Sequence, residues 1–285
     1  MRVLVLGAKG QLGTEICAVY ADADLVAADI DTIDIRDKEG VRALLERTLP
    51  DLVINTTAAH NVPRCEEEPG VAFAVNAIAV RDLAAACRVR DARLVHISTD
   101  YVFGDGTGQP YTEEDRPAPM NVYGASKLAG EHLLAAEWDN HIILRTAALY
   151  GPAPCVAKQG MNFVRLMLHL AETRDEIKVV TDEITTPTYT KALARQIRLV
   201  AEKGEPGLYH ATCGGACSWY EFAEAIFAIA GKPVRLVPAK AADFASNVRR
   251  PHYSVLENKR LQEQGLDIMP HWRETLKAYL EGLGN

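Results

Sequence analysis

Val3-Leu4-Val5-Leu6-Gly7-Ala8-Lys9-Gly10-Gln11-Leu12-Gly13 decides the reading of the chain. Four apolar residues in a row suit a strand covered on both faces, and the helical pattern Gln11–Tyr20 follows the glycines at once. Gly7 and Gly10 allow a tight turn and a close approach to a pyrophosphate, while Gly13 lets the helix lie against the sheet. The free N–H groups and dipole of the helix N-terminus then face the anion.

Outward from that loop, short β-branched runs alternate with helical patterns. Strands are expected at Val3–Leu6, Leu25–Ala28, Leu52–Asn55, Leu94–Ile97 and Ile142–Leu144, with helices at Gln11–Tyr20, Lys38–Thr48, Val71–Val89 and Val122–Glu137. The expected class is α/β, a Rossmann-type doubly wound parallel sheet with a smaller C-terminal substrate-binding lobe. The dinucleotide-binding domain is assigned to 1–150, with 188–212 returning to it, and the lobe to 151–187 and 213–285. After Gly151, helices are expected near Phe163–Glu172, Thr190–Lys203, Trp219–Ala230 (opened by a Ser218/Glu221 capping box) and His271–Leu283, with strands at Ile177–Thr181 and Gly207–Ala211.

The chain has 285 residues, a net charge of −7 and 48% hydrophobic side chains. A chain this long buries roughly three quarters of its unfolded surface and needs no staple. The acidic balance argues against nucleic acid as a partner. No signal peptide precedes Val3, and the apolar stretch from Val71 to Cys87 is interrupted by Asn76, Arg81 and Asp82, so a cytoplasmic protein away from membranes is expected. Cysteines 17, 65, 87, 155, 213 and 217 read as reduced thiols, and His210, Cys213 and Cys217 lack the spacing of a zinc site, so no metal is expected. Glu66-Glu67-Glu68 reads as a solvated helix start.

Asp29 ends the second strand, where a carboxylate favours a ribose with a free 2′-hydroxyl and hence NADH. Lys9 suits a 2′-phosphate and hence NADPH, so both cofactors remain open. Tyr123 and Lys127 lie one turn apart at the start of a helix capped by Asn121. An ammonium about 4 Å from the phenol at an effective dielectric near 20 contributes about 4 kcal/mol, or roughly three pKa units, which would fit Tyr123 to act as a proton donor. Thr99 ends the fourth strand, where its hydroxyl can polarise a carbonyl.

The glycine loop, Ser98-Thr99-Asp100-Tyr101-Val102-Phe103 and Asn121-Val122-Tyr123-Gly124 with Ser126-Lys127 resemble the extended short-chain dehydrogenase/reductases. Asn162-Phe163, Thr186-Pro187-Thr188-Tyr189-Thr190, Gly207-Leu208-Tyr209-His210, Ser218-Trp219-Tyr220-Glu221-Phe222 and Arg250-Pro251 extend the resemblance to the dTDP-4-dehydrorhamnose reductase family. The resemblance implies reduction of the 4-keto group of dTDP-6-deoxy-L-lyxo-4-hexulose to dTDP-L-rhamnose with NADPH or NADH. It makes Thr99, Tyr123 and Lys127 catalytic, with Lys127 also holding the nicotinamide ribose. Gly7, Lys9, Gly10, Gln11, Leu12, Gly13, Asp29, Asp34, Ile35, Ala58 and Ala59, with Tyr123 and Lys127, are the expected cofactor contacts. Val62, Arg64, Thr99, Asp100, Tyr101, Tyr123, Asn162, Thr188 and Arg250 are the expected contacts of the dTDP-sugar or other nucleotide sugar. A homodimer is compatible with this reading. Trp219 is expected in the core of its helix.

Two departures fall on the substrate side. Ala148 stands where the family has tryptophan, and Val62-Pro63-Arg64-Cys65-Glu66 replaces its Val-Asp-x-Ala-Glu segment. The alternatives are an epimerase or dehydratase on the same scaffold, disfavoured because Asp100-Tyr101 replaces the Asp-Glu pair of dehydratases, and a non-catalytic NADP-binding regulatory subunit.

Overall fold

The computed structural model describes residues 1–106, 108–154 and 160–283, which leaves Cys155 outside the described residues. Strands β1 (Arg2–Leu6), β2 (Asp24–Ala28), β3 (Leu52–Asn55), β4 (Arg93–Thr99), β5 (His141–Thr146) and, far along the chain, β10 (Gly207–His210) form one sheet in the order β10-β5-β4-β3-β1-β2. Every pairing in it is parallel. The chain leaves β1 for β2 on one side and returns to β3 on the other, so a crevice opens beyond the carboxyl ends of β1 and β3.

Side-chain alternation divides the core into two layers. Val3 and Val5 point to one face, beneath Leu12 and Ile16 of α1 (Gln11–Val19) and Leu193 and Ile197 of the returning helix α8 (Thr190–Lys203). Leu4 and Leu6 point to the other, beneath α2 (Lys38–Thr48), α5 (Ala79–Arg90) and α6 (Val122–Glu137). At the carboxyl end this second layer turns polar, with Asn55, His96, Ser98 and Arg145 all buried.

The expected helix at Val71–Val89 is more broken than its pattern suggested. After α3 (Val62–Glu67) come α4 (Pro69–Phe73), a π-helical turn over Ala74–Ile78, and α5. Pro69–Arg90 is long and apolar enough to cross a membrane, with mean hydropathy 1.5, so its polar residues do not rule this out on length and composition as expected. Its inner face, Val80, Leu83, Ala84 and Cys87, is fully buried against the sheet. Glu66 and Glu67 end α3 rather than begin a helix, and Glu68 caps the junction with α4.

Beyond β5, β6 (Leu149–Tyr150) pairs with β9 (Thr188–Tyr189). Then come α7 (Phe163–Thr173), β7 (Glu176–Val180), β8 (Ile184–Thr185), β11 (Cys217–Ser218), α9 (Trp219–Ala230), β12 (Arg235–Ala239), α10 (Lys259–Glu263) and α11 (Trp272–Leu283). The Ser218/Glu221 capping box is present. The segment 235–239, which carries no strand signal around Pro238, is a strand paired in parallel with β7. A third apolar cluster, around Tyr150, Phe222, Trp272 and Tyr279, fills this part.

Candidate active site

The glycine loop has the geometry its spacing requires. Gly7 sits at φ +79°, where a side chain is strained and a Cβ would meet Thr56. A Cβ on Gly13 would lie 2.0 Å from the Gly7 carbonyl oxygen. Gly10 caps α1 without a side-chain bond, leaving the first helical N–H groups facing the crevice. Gln11 Oε1 is buried with no hydrogen-bond partner among the described residues. A dinucleotide diphosphate fits this cradle.

A cavity of about 480 Å³ continues from the loop, and Gly7, Lys9, Gly10, Asp29, Asp34, Ile35, Ala58 and Ala59 all line it. Asp29 does not hang free. Its Oδ2 accepts the Lys9 backbone N–H at 2.8 Å and its Oδ1 that of Ile30 at 2.8 Å. Lys9 Nζ pairs with Asp31, and Arg36 pairs with Asp34 at 2.5 Å. Arg36 escaped the sequence reading, although a base two residues beyond Asp34 in the loop after β2 is a usable signal for the ribose side.

A second cavity of about 300 Å³ shares Gly10, Thr56, Ala58 and His60 with the first, so the two adjoin. Gln11, Leu12, Val62, Thr99, Asp100, Tyr101, Tyr123 and Lys127 line it. Its far wall comes from the C-terminal half: Glu183, Trp219, Pro251 and Ser254. Trp219 is therefore half-buried and faces the cleft, although it also packs on Phe163, ring centres 4.6 Å apart. Ala148, at φ +44°, lines the same cavity.

Asn121 caps α6 through Gly124 N–H at 2.8 Å, placing Tyr123 in the first turn. Glu66 accepts the Val122 N–H at 2.8 Å, putting a carboxylate on the same helix end. Burial raises the Tyr123 hydroxyl above the ordinary phenol value, against a hydrogen bond with Thr99 that lowers it. The phenol is therefore raised rather than lowered, contrary to the expectation for its pairing with Lys127. One turn of helix sets its Cα correctly, but the four-carbon stem folds onto the sheet. Nζ donates to the Ile97 carbonyl at 2.5 Å and lies 3.1 Å from His96 Nε2. Burial lowers Lys127 to about 8, opposed by Glu131.

Thr99 donates to Asp100 Oδ1 at 3.0 Å and accepts the Tyr101 N–H at 3.2 Å. Ser254 donates to Asp100 Oδ2 at 2.7 Å. Burial raises Asp100 to about 6 despite those two hydroxyls, which pull the other way. The Tyr101 ring stands edge-on to Tyr123 at 5.9 Å. Behind this cluster Arg145 forks onto Glu131 at 2.6, 3.0 and 3.2 Å, and Ser98 donates to the same carboxylate at 2.5 Å.

Four expected substrate contacts lie elsewhere than foreseen. Asn162 is buried as the cap of α7, accepting Arg165 N–H at 3.0 Å and donating to the Gly151 carbonyl at 2.9 Å. Thr188 is wholly buried and donates to the Thr186 carbonyl at 3.1 Å. Both local bonds use up the polar atoms the cleft would have needed. Arg64 lines the first cavity, not the second, and pairs with Glu68 at 3.2 Å, one turn away on the same chain segment. Arg250 does not line the second cavity; it donates to Ser246 Oγ at 3.2 Å, and its charge reaches the rim at Glu183 and Tyr101. Asn76, in the π-helical turn, accepts the Ala59 N–H at 2.9 Å and donates to the Ala59 carbonyl and Ser126 Oγ at 3.0 Å each.

Residues 1–284 match the family model described as the RmlD substrate binding domain. The chain is 40% identical over 98% of its length to the spore coat polysaccharide biosynthesis protein SpsK of Bacillus subtilis, of which it covers 97%. It is 38% identical over 96% of its length to a dTDP-4-keto-6-deoxy-D-glucose reductase of Streptomyces niveus, of which it covers 95%. A crystal structure of dTDP-4-dehydrorhamnose reductase from Bacillus anthracis in complex with NADP superimposes with a TM-score of 0.94 at 36% identity, covering 99% of each chain.

Proposed function

The chain belongs to the dTDP-4-dehydrorhamnose reductase family, and from that premise we infer that it is an NAD(P)H-dependent reductase of the 4-keto group of a nucleotide-activated 6-deoxy sugar. Its substrate on this reading is dTDP-4-dehydrorhamnose, and its product dTDP-L-rhamnose. The observation that carries the reading is the Thr99–Tyr123 hydroxyl pair, in a cavity that adjoins the glycine cradle.

The residues divide the work as follows. Residues 1–150 with 188–212 hold the dinucleotide, and 151–187 with 213–285 close over the sugar. Bound nicotinamide supplies the hydride. Tyr123 gives its proton to the carbonyl oxygen as the carbon gains hydrogen, so that C=O becomes CH–OH. Thr99 orients that oxygen, and Asp100 with Ser254 holds Thr99 in place. Trp219 supplies, from the other side of the cleft, a flat apolar wall that Ala148 lacks. Asp100 is tied to two hydroxyls and has no second carboxylate beside it on the chain, which favours reduction over elimination of water.

Loss of nicotinamide absorbance with dTDP-4-keto-6-deoxy sugar tests this. Tyr123→Phe is expected to lower kcat roughly 10²- to 10⁴-fold. No turnover of any keto sugar nucleotide by the unsubstituted protein would overturn it.

A further inference from the structure

The hydrogen bonds beneath α6 fix a tautomer that spacing alone does not reveal. Asn55 and His96 are register partners on β3 and β4, both fully buried. Asn55 Oδ1 lies 3.1 Å from the Thr57 backbone N–H and 2.6 Å from its hydroxyl. A backbone N–H can only donate, so the amide oxygen faces Thr57 and the NH₂ faces His96. That NH₂ stands 3.1 Å from His96 Nδ1, which therefore accepts. A neutral imidazole with an accepting Nδ1 carries its proton on Nε2. Nε2 lies 3.1 Å from Lys127 Nζ. An N–H there repels an ammonium, but it can donate to the lone pair of an amine. That amine still has a hydrogen for the Ile97 carbonyl at 2.5 Å.

We propose that Asn55 and His96 are positioning residues that favour the neutral amine of Lys127 at the expense of its ammonium in the free protein, the lone pair on His96 Nε2–H. Protonating Lys127 requires the imidazole proton to move to Nδ1, where it meets the Asn55 NH₂ donor to donor. One proton gained at Nζ thus costs one buried hydrogen bond. Burial acts in the same sense on both groups, lowering Lys127 to about 8 and His96 well below its ordinary value. Of the charged and titratable groups around Lys127, Glu131 on α6 favours the ammonium, and Arg145 on β5 partly satisfies that carboxylate. Tyr123 and Asp100, the latter on the turn after β4, line the same cavity as Lys127, while on α3 Cys65 acts on the phenol and Glu66 accepts the Val122 N–H. Resting on the reductase reading, the consequence is that Tyr123 keeps its proton, the form a carbonyl reduction uses.

Two measurements on the protein without substrate test this, so their outcome is separate from whether any keto sugar is turned over. Imidazole ¹⁵N spectra of the unsubstituted protein are expected to show His96 with Nε2 protonated and Nδ1 bare; the reverse tautomer would overturn the proposal. In Asn55→Asp the carboxylate accepts from Nδ1–H, so Nε2 becomes an acceptor for the ammonium. The ¹³Cε titration of Lys127 is then expected to move upward by a pH unit or more, a tenfold change. An unchanged or lowered midpoint would overturn the proposal too.

Discussion

Asp100→Asn is the most searching substitution the site offers. Burial lifts the Asp100 carboxyl from 3.8 to about 6, so the folded protein prefers it protonated while the unfolded chain does not. The resulting stability is fully present below pH 3.8 and is lost as the pH rises through about 6. A shift of about two units corresponds to roughly 3 kcal/mol. Asparagine has the same shape and no charge: its oxygen can accept from Ser254, and its NH₂ can donate to Thr99 Oγ. The variant is therefore expected to be more stable by about 3 kcal/mol at pH 7.5, about half that at pH 5, and little different at pH 4. The same change turns the Thr99 hydroxyl hydrogen away from residue 100 and towards the cleft. Urea unfolding of both proteins across this pH range gives the comparison. A stability difference that stays flat between pH 5 and 7.5 would refute the reasoning, as would a variant less stable at pH 7.5.

Two further outcomes are expected. Arg145→Met leaves Ser98 as the one hydrogen-bond donor to the buried Glu131 carboxylate among the described residues, and should cost about 3–5 kcal/mol in urea unfolding, part of it recovered when Glu131→Gln is added. Gly13→Ala forces a methyl group to within 2.0 Å of the Gly7 carbonyl, so α1 must move off its loop; about 1–3 kcal/mol of stability and at least tenfold in NADPH affinity by fluorescence titration should be lost.

The sheet was legible because its determinants are local. Val3–Leu6, the glycines after it and the Asn121 cap each announce their structure within a few residues, and the helix over Val122–Glu137 starts and stops where its pattern does. Contacts that join distant elements were not legible. The same face of α6 carries Tyr123 and Lys127, but whether the amine meets the phenol depends on a carbonyl and an imidazole supplied by β4. The Glu131–Arg145 pair joins a helix to a strand, which no helical spacing encodes. Asn162 shows the opposite error. Standing just before Phe163, it had a sound local reason to be a helix cap, and the local reason prevailed over the likeness that placed it in the cleft.

The Asn76 side chain behaves like a short length of neighbouring strand, gripping both polar atoms of the Ala59 peptide while also reaching α6 through Ser126. Gly130 sits so close to the Asn76 carbonyl that a methyl group there would be 2.0 Å from its oxygen. One jaw of the molecule is in effect riveted: the ledge beside the dinucleotide cannot drift from the helix that bears Tyr123. Any gripping motion upon sugar entry then falls to the opposite jaw, where Glu183, Trp219 and Ser254 stand, and paired crystal structures should record the displacement there and almost none between Ala59 and Ser126.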